Sequence, residues 1–332
     1  MADQQALDLL KLSDGLFSKK GQLDTLWQSI KNEVYPECPE FDRTRLEGEE
    51  HADHLMTSLP AQNRRDLANA MGALTRRKSG WFQINVEDLK RMPRSVKDWL
   101  AWATDQQRNL LYNRKGLFVS TMPTADNYFV SFGNAVVMQA EDAERTGIMV
   151  YLPCHIGNCA WAQDCYQTVN RLDRKYKKQL RDVVRQSGMK VLSDAQKRAY
   201  ENEPTAEIDI RHVVMPNADY DAYMKQPAKG KKQPHASVYI NVEAGTILRE
   251  GGYVEFPYHV RRWLLSENSP YGYSPAAMLG LIDARLLQSQ ERVIQDAGER
   301  VVDPPAVATR DAVLGDVASY SGGTTWLDRD YD

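Results

Sequence analysis

Residues 252–263 read Gly-Tyr-Val-Glu-Phe-Pro-Tyr-His-Val-Arg-Arg-Trp; residues 271–275 read Tyr-Gly-Tyr-Ser-Pro, and a long run then stops at Asp303-Pro304-Pro305. Val254, Phe256, Tyr258 and Val260 alternate with Glu255, Pro257, His259 and Arg261, the period of a strand with one apolar face, and Pro257 suits a sheet edge. Gly272 supplies turn freedom, Ser274 is a good N-cap, and Pro275 fits the first helical position, where its missing N–H is harmless. A helix is therefore predicted from about Ser274. Leu279, Ile282, Leu286 and Val293 recur on one side of it, and Gln288, Glu291, Gln295 and Glu299 on the other. Asp303 and the prolines after it end the helix.

Upstream, the first third reads as helical. Leu7, Leu10, Leu16 and Phe17 lead into Leu23, Leu26, Trp27 and Ile30, either as two helices or as one kinked near Gly21. A helix is predicted over about 51–75 despite Pro60, then a strand over 81–86, then helices over 95–113 and 124–140. Trp99, Trp102 and Tyr112 lie at helical spacing and read as core. Strands and turns follow over 148–170. Leu172, Tyr176, Leu180 and Val183 return to helical period over 171–186, and between Arg171 and Lys190 eight Lys/Arg face two Asp. That charge reads as a solvated helix exterior, with contact to phosphates or to an acidic partner as the alternative. Residues 206–214 and 237–242 alternate as strands around a loop containing Lys225, Lys229, Lys231 and Lys232. The fold class is α+β.

Composition bounds the function. The chain has 332 residues, 42 Lys/Arg and 45 Asp/Glu, a formal net charge of −3, so it lacks the basic excess of a nucleic-acid-coating protein. No apolar run approaches the roughly 18 residues needed to span a bilayer, and no membrane partner is expected.

Particular motifs resemble the head-to-tail connecting (portal) proteins of short-tailed bacteriophages. They are Trp81-Phe82 after the small-residue helix 67–74, Phe132-Gly133-Asn134-Ala135, Gly157-Asn158, Val213-Val214-Met215-Pro216-Asn217, and the 252–305 block in its order. The resemblance implies a ring subunit, twelve-fold, at one capsid vertex of the virion, assembled in the host cytoplasm. Viral DNA would pass through its centre during packaging and ejection. Terminase, tail adaptor, scaffolding and capsid proteins would be its partners. It also implies a division into an N-terminal wing (1–170), a first stem helix (171–190), a β-rich clip (191–273), a second stem helix (274–303) and the start of a second wing segment (304–332). Gln288, Glu291, Gln295 and Glu299 would then face the channel, and Leu279, Ile282, Leu286 and Val293 the neighbouring helices. The loop lysines 225, 229, 231 and 232 are the candidate docking contact of the clip. Members of that family are considerably longer, so the resemblance implies further wing and crown helices beyond Asp332, and unusual exposure of Trp81, Phe82, Phe129 and Phe132 without them.

No catalytic, cofactor or metal site is expected. Cys154, His155, Cys159 and Cys165 are the one cluster resembling a zinc site, but the spacing is not that of paired knuckles, and the cysteines read as buried and reduced. Gly230-Lys231-Lys232 lacks the upstream glycine and the Ser/Thr of a phosphate loop. Glu207 and Asp209 share a strand face with Arg211, the pattern of an exposed sheet face rather than of an acid pair. The competing functions are a DNA-processing or packaging enzyme, which would need the carboxylate cluster or phosphate loop that is not legible, and a monomeric tail adaptor, separated from a portal by ring stoichiometry.

Overall fold

A computed structural model describes residues 3–46, 48–77, 80–86, 91–141, 147–224, 233–267, 269–304, 306–309 and 320–327. A single helix, α1 (Gln4–Val34), runs unbroken through Gly21 and organises the rest. Asp3 caps it by accepting from the Gln5 amide, and Trp27, Ile30 and Val34 on its buried face join the main core. Two of its lysines are buried against counter-groups. Lys20 Nζ donates to the carbonyls of Ile156, Gly157 and Cys159 at 2.7–3.0 Å, and Lys31 meets Glu40 at 2.6 Å. The first fastens α1 to a turn between two strands; the second straps the chain segment after α1 back onto it.

Then come α2 (Leu59–Thr75), α3 (Arg94–Leu111) and α4 (Phe118–Phe132). Pro60 explains why α2 starts eight residues later than predicted: it occupies the first turn, where proline is tolerated. Residues 81–86 are not a strand. Their backbone is held by α3 side chains instead, the Ile84 amide donating to Thr104 Oγ1 and Arg108 donating to the Phe82 carbonyl. α3 buries only Leu100 and Thr104, so Trp99 and Trp102, predicted to be core, are 60% and 58% exposed.

The helix predicted over 124–140 ends at Phe132. Gly133 stops it at φ 72°, and residues Asn134–Glu141 form β1, which pairs antiparallel with β2 (Met149–Cys154). β3 (Cys159–Gln163) and β4 (Val169–Gln179) follow. β4 occupies the first nine residues of the predicted helix 171–190. Only α5 (Leu180–Ser187) is α-helical there, so this range is not the single stem helix that the resemblance implied. Leu172 and Tyr176 are four apart, a spacing that keeps residues on one face of a strand as well as of a helix.

After α6 (Asp194–Asn202), β5 (Glu207–Pro216), α7 (Asn217–Met224), β6 (His235–Asn241) and β7 (Thr246–Tyr253) complete a five-stranded antiparallel sheet in the order β3-β4-β5-β6-β7. Its apolar face packs on the start of α1, where Ala6, Leu9 and Leu10 meet Val213, Met215 and Ile240. Residues 191–273 therefore share a sheet with strands from before them. β8 (Tyr258–Arg262) returns to β1, giving a second sheet ordered β2-β1-β8 with β8 at its edge, as Pro257 suggested. His212 of β5 joins the sheets: its ring stacks on Tyr239 and hydrogen-bonds Tyr258 at 2.6 Å and Ser237 at 2.9 Å.

β9 (Leu264–Leu265) and β10 (Gly272–Tyr273) form a small pair leading to a π-helical turn, Ala276–Gly280, and α8 (Leu281–Val302). β11 (Ala306–Thr309) and β12 (Thr324–Leu327) pair in parallel beyond it. The predicted exposure of four aromatics is not found. Phe132 is fully buried, Phe129 stacks on Trp263, and Trp81 and Phe82 are half-buried. Phe132 is enclosed by Trp27, Tyr35 and Phe41, which α1 and the segment after it supply. Among the described residues no helix is long and apolar enough to cross a membrane.

Candidate functional site

Among the described residues α8 carries the longest exposed run of any helix. Its root is held tightly. Asn134 at the start of β1 donates to the Gly272 carbonyl at 2.7 Å and accepts from the Gly272 amide at 2.8 Å. Ser274, predicted as an N-cap, is instead buried and donates its hydroxyl to the Ser131 carbonyl at 2.6 Å. The chains approach so closely that a Cβ on Gly133 would lie 2.4 Å from the Tyr273 carbonyl carbon. The end of α4 and the start of α8 are thus one welded junction.

Beyond the junction, Leu281 and Ala284 are buried against the body. Gln288, one further turn along the same line, is clasped by the backbone before α2: its Oε1 accepts from the amides of Met56 at 2.7 Å and Thr57 at 3.0 Å, and its Nε2 donates to the Thr57 carbonyl at 3.0 Å. From residue 289 to 302 every residue is exposed. At ~1.5 Å per residue this is a projecting rod of about 20 Å.

The two predicted faces of α8 separate cleanly. At about 100° per residue, Gln288, Glu291, Gln295 and Glu299 continue the line of Leu281 and Ala284, while Ile282, Leu286 and Val293 lie about 180° away. Leu279, Ile282, Leu286 and Val293 are 70%, 69%, 56% and 63% exposed, and Ile294, Val301 and Val302, which the sequence reading passed over, add to the uncovered apolar surface. The projecting rod itself carries Glu291, Asp296 and Glu299 against Arg292 and Arg300, a net of −1.

Other candidates carry less. Lys225, Lys229, Lys231 and Lys232 lie outside the described residues. Cys154 and Cys159 are buried and Cys165 is exposed, and His155 is turned toward Tyr128, whose hydroxyl is 2.9 Å from its Nδ1. Among the described residues no group of three or more His, Cys, Asp or Glu is placed to hold a metal ion. Glu207 and Asp209 are exposed on β5, and the next residue of their row, Arg211, is buried and bonded to Ser13 and Asp14.

Comparison with known proteins bears on what such a surface is for. The family described as "Bacteriophage head to tail connecting protein" matches residues 7–330. A relative named "Portal protein", from Salmonella phage epsilon15, is 24% identical over 334 residues, which cover 99% of this chain and 59% of that protein. The chain spans about three-fifths of the length of that relative.

Proposed function

The chain belongs to the bacteriophage head to tail connecting protein family, and we propose from this that it is a portal subunit. In this reading copies of it close into a ring at one capsid vertex, through which viral DNA is packaged and ejected. The structural observation that supports it is the projecting half of α8. A helix of about 14 residues exposed on every side is marginal in water on its own, because helical stability in proteins comes mostly from tertiary packing. An unpaired apolar stripe on such a helix finds its natural cover in neighbouring copies of the same helix. Closure then depends on a head-to-tail contact whose rotation per subunit suits the ring, for which the resemblance implies twelve copies.

Leu279, Ile282, Leu286 and Val293 are proposed to meet the neighbouring subunit, and Glu291, Gln295 and Glu299 to line the channel beyond the Gln288 clasp. The slight acidity of the rod suits a conduit. Each phosphate neutralised by a protein cation adds affinity through counterion release, so a strongly basic lining would retain the DNA that must move. In this assignment α8 is the stem, and the described residues before it form the body that carries it. The lysines at 225, 229, 231 and 232 are proposed as a contact for acidic partners, with terminase, tail adaptor, scaffolding and capsid proteins as the classes of protein that the family implies. Negative-stain microscopy of the purified chain, alone and with scaffold, tests the proposal: rings with a central hole wider than duplex DNA, about 20 Å, are expected. A chain that stays monomeric across concentration and salt, with scaffold present, counts against it.

A further inference from the structure

A cleft of about 720 Å³ lies along β8 and touches five successive residues, Tyr258 to Arg262. Successive side chains of a strand point to opposite faces, so one concavity that reaches all five wraps around the strand's backbone edge. The register identifies the free groups. The Gln139 amide donates to the Pro257 carbonyl at 2.8 Å and the Trp263 amide to the Gly133 carbonyl at 2.9 Å, so the odd-numbered residues here face β1. The backbone amides and carbonyls of Tyr258, Val260 and Arg262 therefore point away from it. Among the described residues no other strand pairs with β8. An open edge of this kind is a template for one more strand.

The side chains around the edge specify what that strand should carry. Phe118, Met122, Val137 and Phe256 give the cleft an apolar floor. Its charged rim is Arg76, Arg261 and Arg262, and among its described lining residues there is no Asp or Glu. Arg76 and Arg261 share one carboxylate, that of Asp126. Among the described residues Arg262 donates to neutral oxygens, those of Gln163, Gln167 and Pro270. Three guanidinium groups thus face one carboxylate, a local excess of two positive charges.

We propose that the free edge of β8 docks an extended, acidic segment of another polypeptide by strand addition. Main-chain hydrogen bonds to residues 258, 260 and 262 would hold it, alternate apolar side chains would enter the floor, and carboxylates would meet the arginine rim. Duplex DNA fits the positive charge but offers neither strand amides nor apolar side chains. The proposal stands apart from the ring reading, since it uses no residue of α8.

The test is fluorescence-anisotropy titration of the full chain with a labelled, acetylated heptapeptide of alternating glutamate and valine with a central phenylalanine. Saturable binding is expected. Replacing glutamate by lysine, or N-methylating alternate backbone amides, should weaken it about tenfold or more. Val260→Pro should do the same while sparing the pairing with β1, because the Val260 amide faces outward. Arg261→Gln should weaken it about threefold, with the circular dichroism unchanged. Equal binding of the N-methylated peptide, absence of saturation up to about 1 mM, or displacement by duplex DNA overturns the proposal. So does hydrogen exchange in assembled protein, without peptide, as slow at residues 258, 260 and 262 as at 259 and 261, because a second copy would then occupy the edge. If Val260→Pro fails to fold, the N-methylated peptide still decides.

Discussion

Asn134 and Gly272, 138 residues apart, exchange two hydrogen bonds through one buried carboxamide, which is the shape of a backbone pair made by a side chain. Asn134 also donates to the Phe132 carbonyl at 3.0 Å, so the helix end, the first strand and the root of α8 meet in it. Replacing it by alanine strands the amide and carbonyl of Gly272 inside the protein. The expected loss is about 2–4 kcal/mol, from one to three per orphaned group offset by partial relaxation. Urea unfolding of Asn134→Ala followed by circular dichroism measures this. Gly133→Ala should cost at least as much, because it combines a contact of 2.4 Å with φ 72°.

Leu286→Glu and Val293→Glu separate assembly from folding. Both side chains are more than half exposed and belong to none of the core clusters among the described residues, so monomer stability should change by less than about 0.5 kcal/mol. Ring formation, followed by sedimentation velocity, should be lost, since the charge would be buried between copies without a partner. Rings that form normally in both variants would remove this face from the interface.

Gln288→Ala tests the clasp. The amides of Met56 and Thr57 lie near the surface and can turn to water, so the cost should sit at the low end for hydrogen bonds, about 1 kcal/mol. Faster amide exchange at Met56 and Thr57 is the expected readout, and unchanged exchange there would show that the clasp does not hold in solution.

How much of this was legible in the sequence depends on whether the decisive contact is local. The two faces of α8 were, because helical period needs no partner to be visible. So was the edge position of β8, from Pro257 alone. The strand at 169–179 was misread, since Leu172 and Tyr176 fit both periods and the run of lysines suggested a solvated helix. In the structure those cations rest on rings instead: Lys175 Nζ lies 4.0 Å from the Phe17 ring centroid, and the Arg174 guanidinium lies 5.1 Å from that of Tyr176. Residues 134–140 were read as helix, although Val136 and Val137 are β-branched and Gly133 is a stop signal. The partners of Gln288 and Asn134 lie far away in sequence, and no spacing rule reaches them. Gly133 stands in a motif that carries the family resemblance and Gly272 reads as a turn residue, yet only the three-dimensional contact shows that each is small to admit the backbone of the other segment.

The last prediction concerns acid. His155 and His212 are held neutral: burial pushes His155 down to about 4, with Lys20 adding to it, and burial pushes His212 down to about 3, with Arg174 and Arg249 adding to it. An unfolded chain takes up protons on both near pH 6.5, whereas the folded chain does so only near 4 and 3. Between those limits the unfolded state binds more protons, so stability falls as pH falls, at about 1.4 kcal/mol per pH unit for each histidine. From pH 7 to pH 5 the loss should be about 2 kcal/mol for each. Glu40 acts lower on the scale. Burial opposes its ionisation, but hydrogen bonds from Lys31, Gln28 and Arg45 outweigh that and hold its carboxyl at about 2, so its contribution is complete above the ordinary value of 4.5 and is lost as pH falls toward 2. Urea midpoints at pH 7, 6 and 5 should therefore drop before the loss of Glu40 contributes appreciably. His212→Gln, which keeps one hydrogen-bonding partner within reach of Tyr258 or Ser237 and cannot take up a proton, should flatten that slope while lowering stability at pH 7. A slope between pH 7 and 5 that is the same with and without His212 would show that the group is not held neutral in the fold.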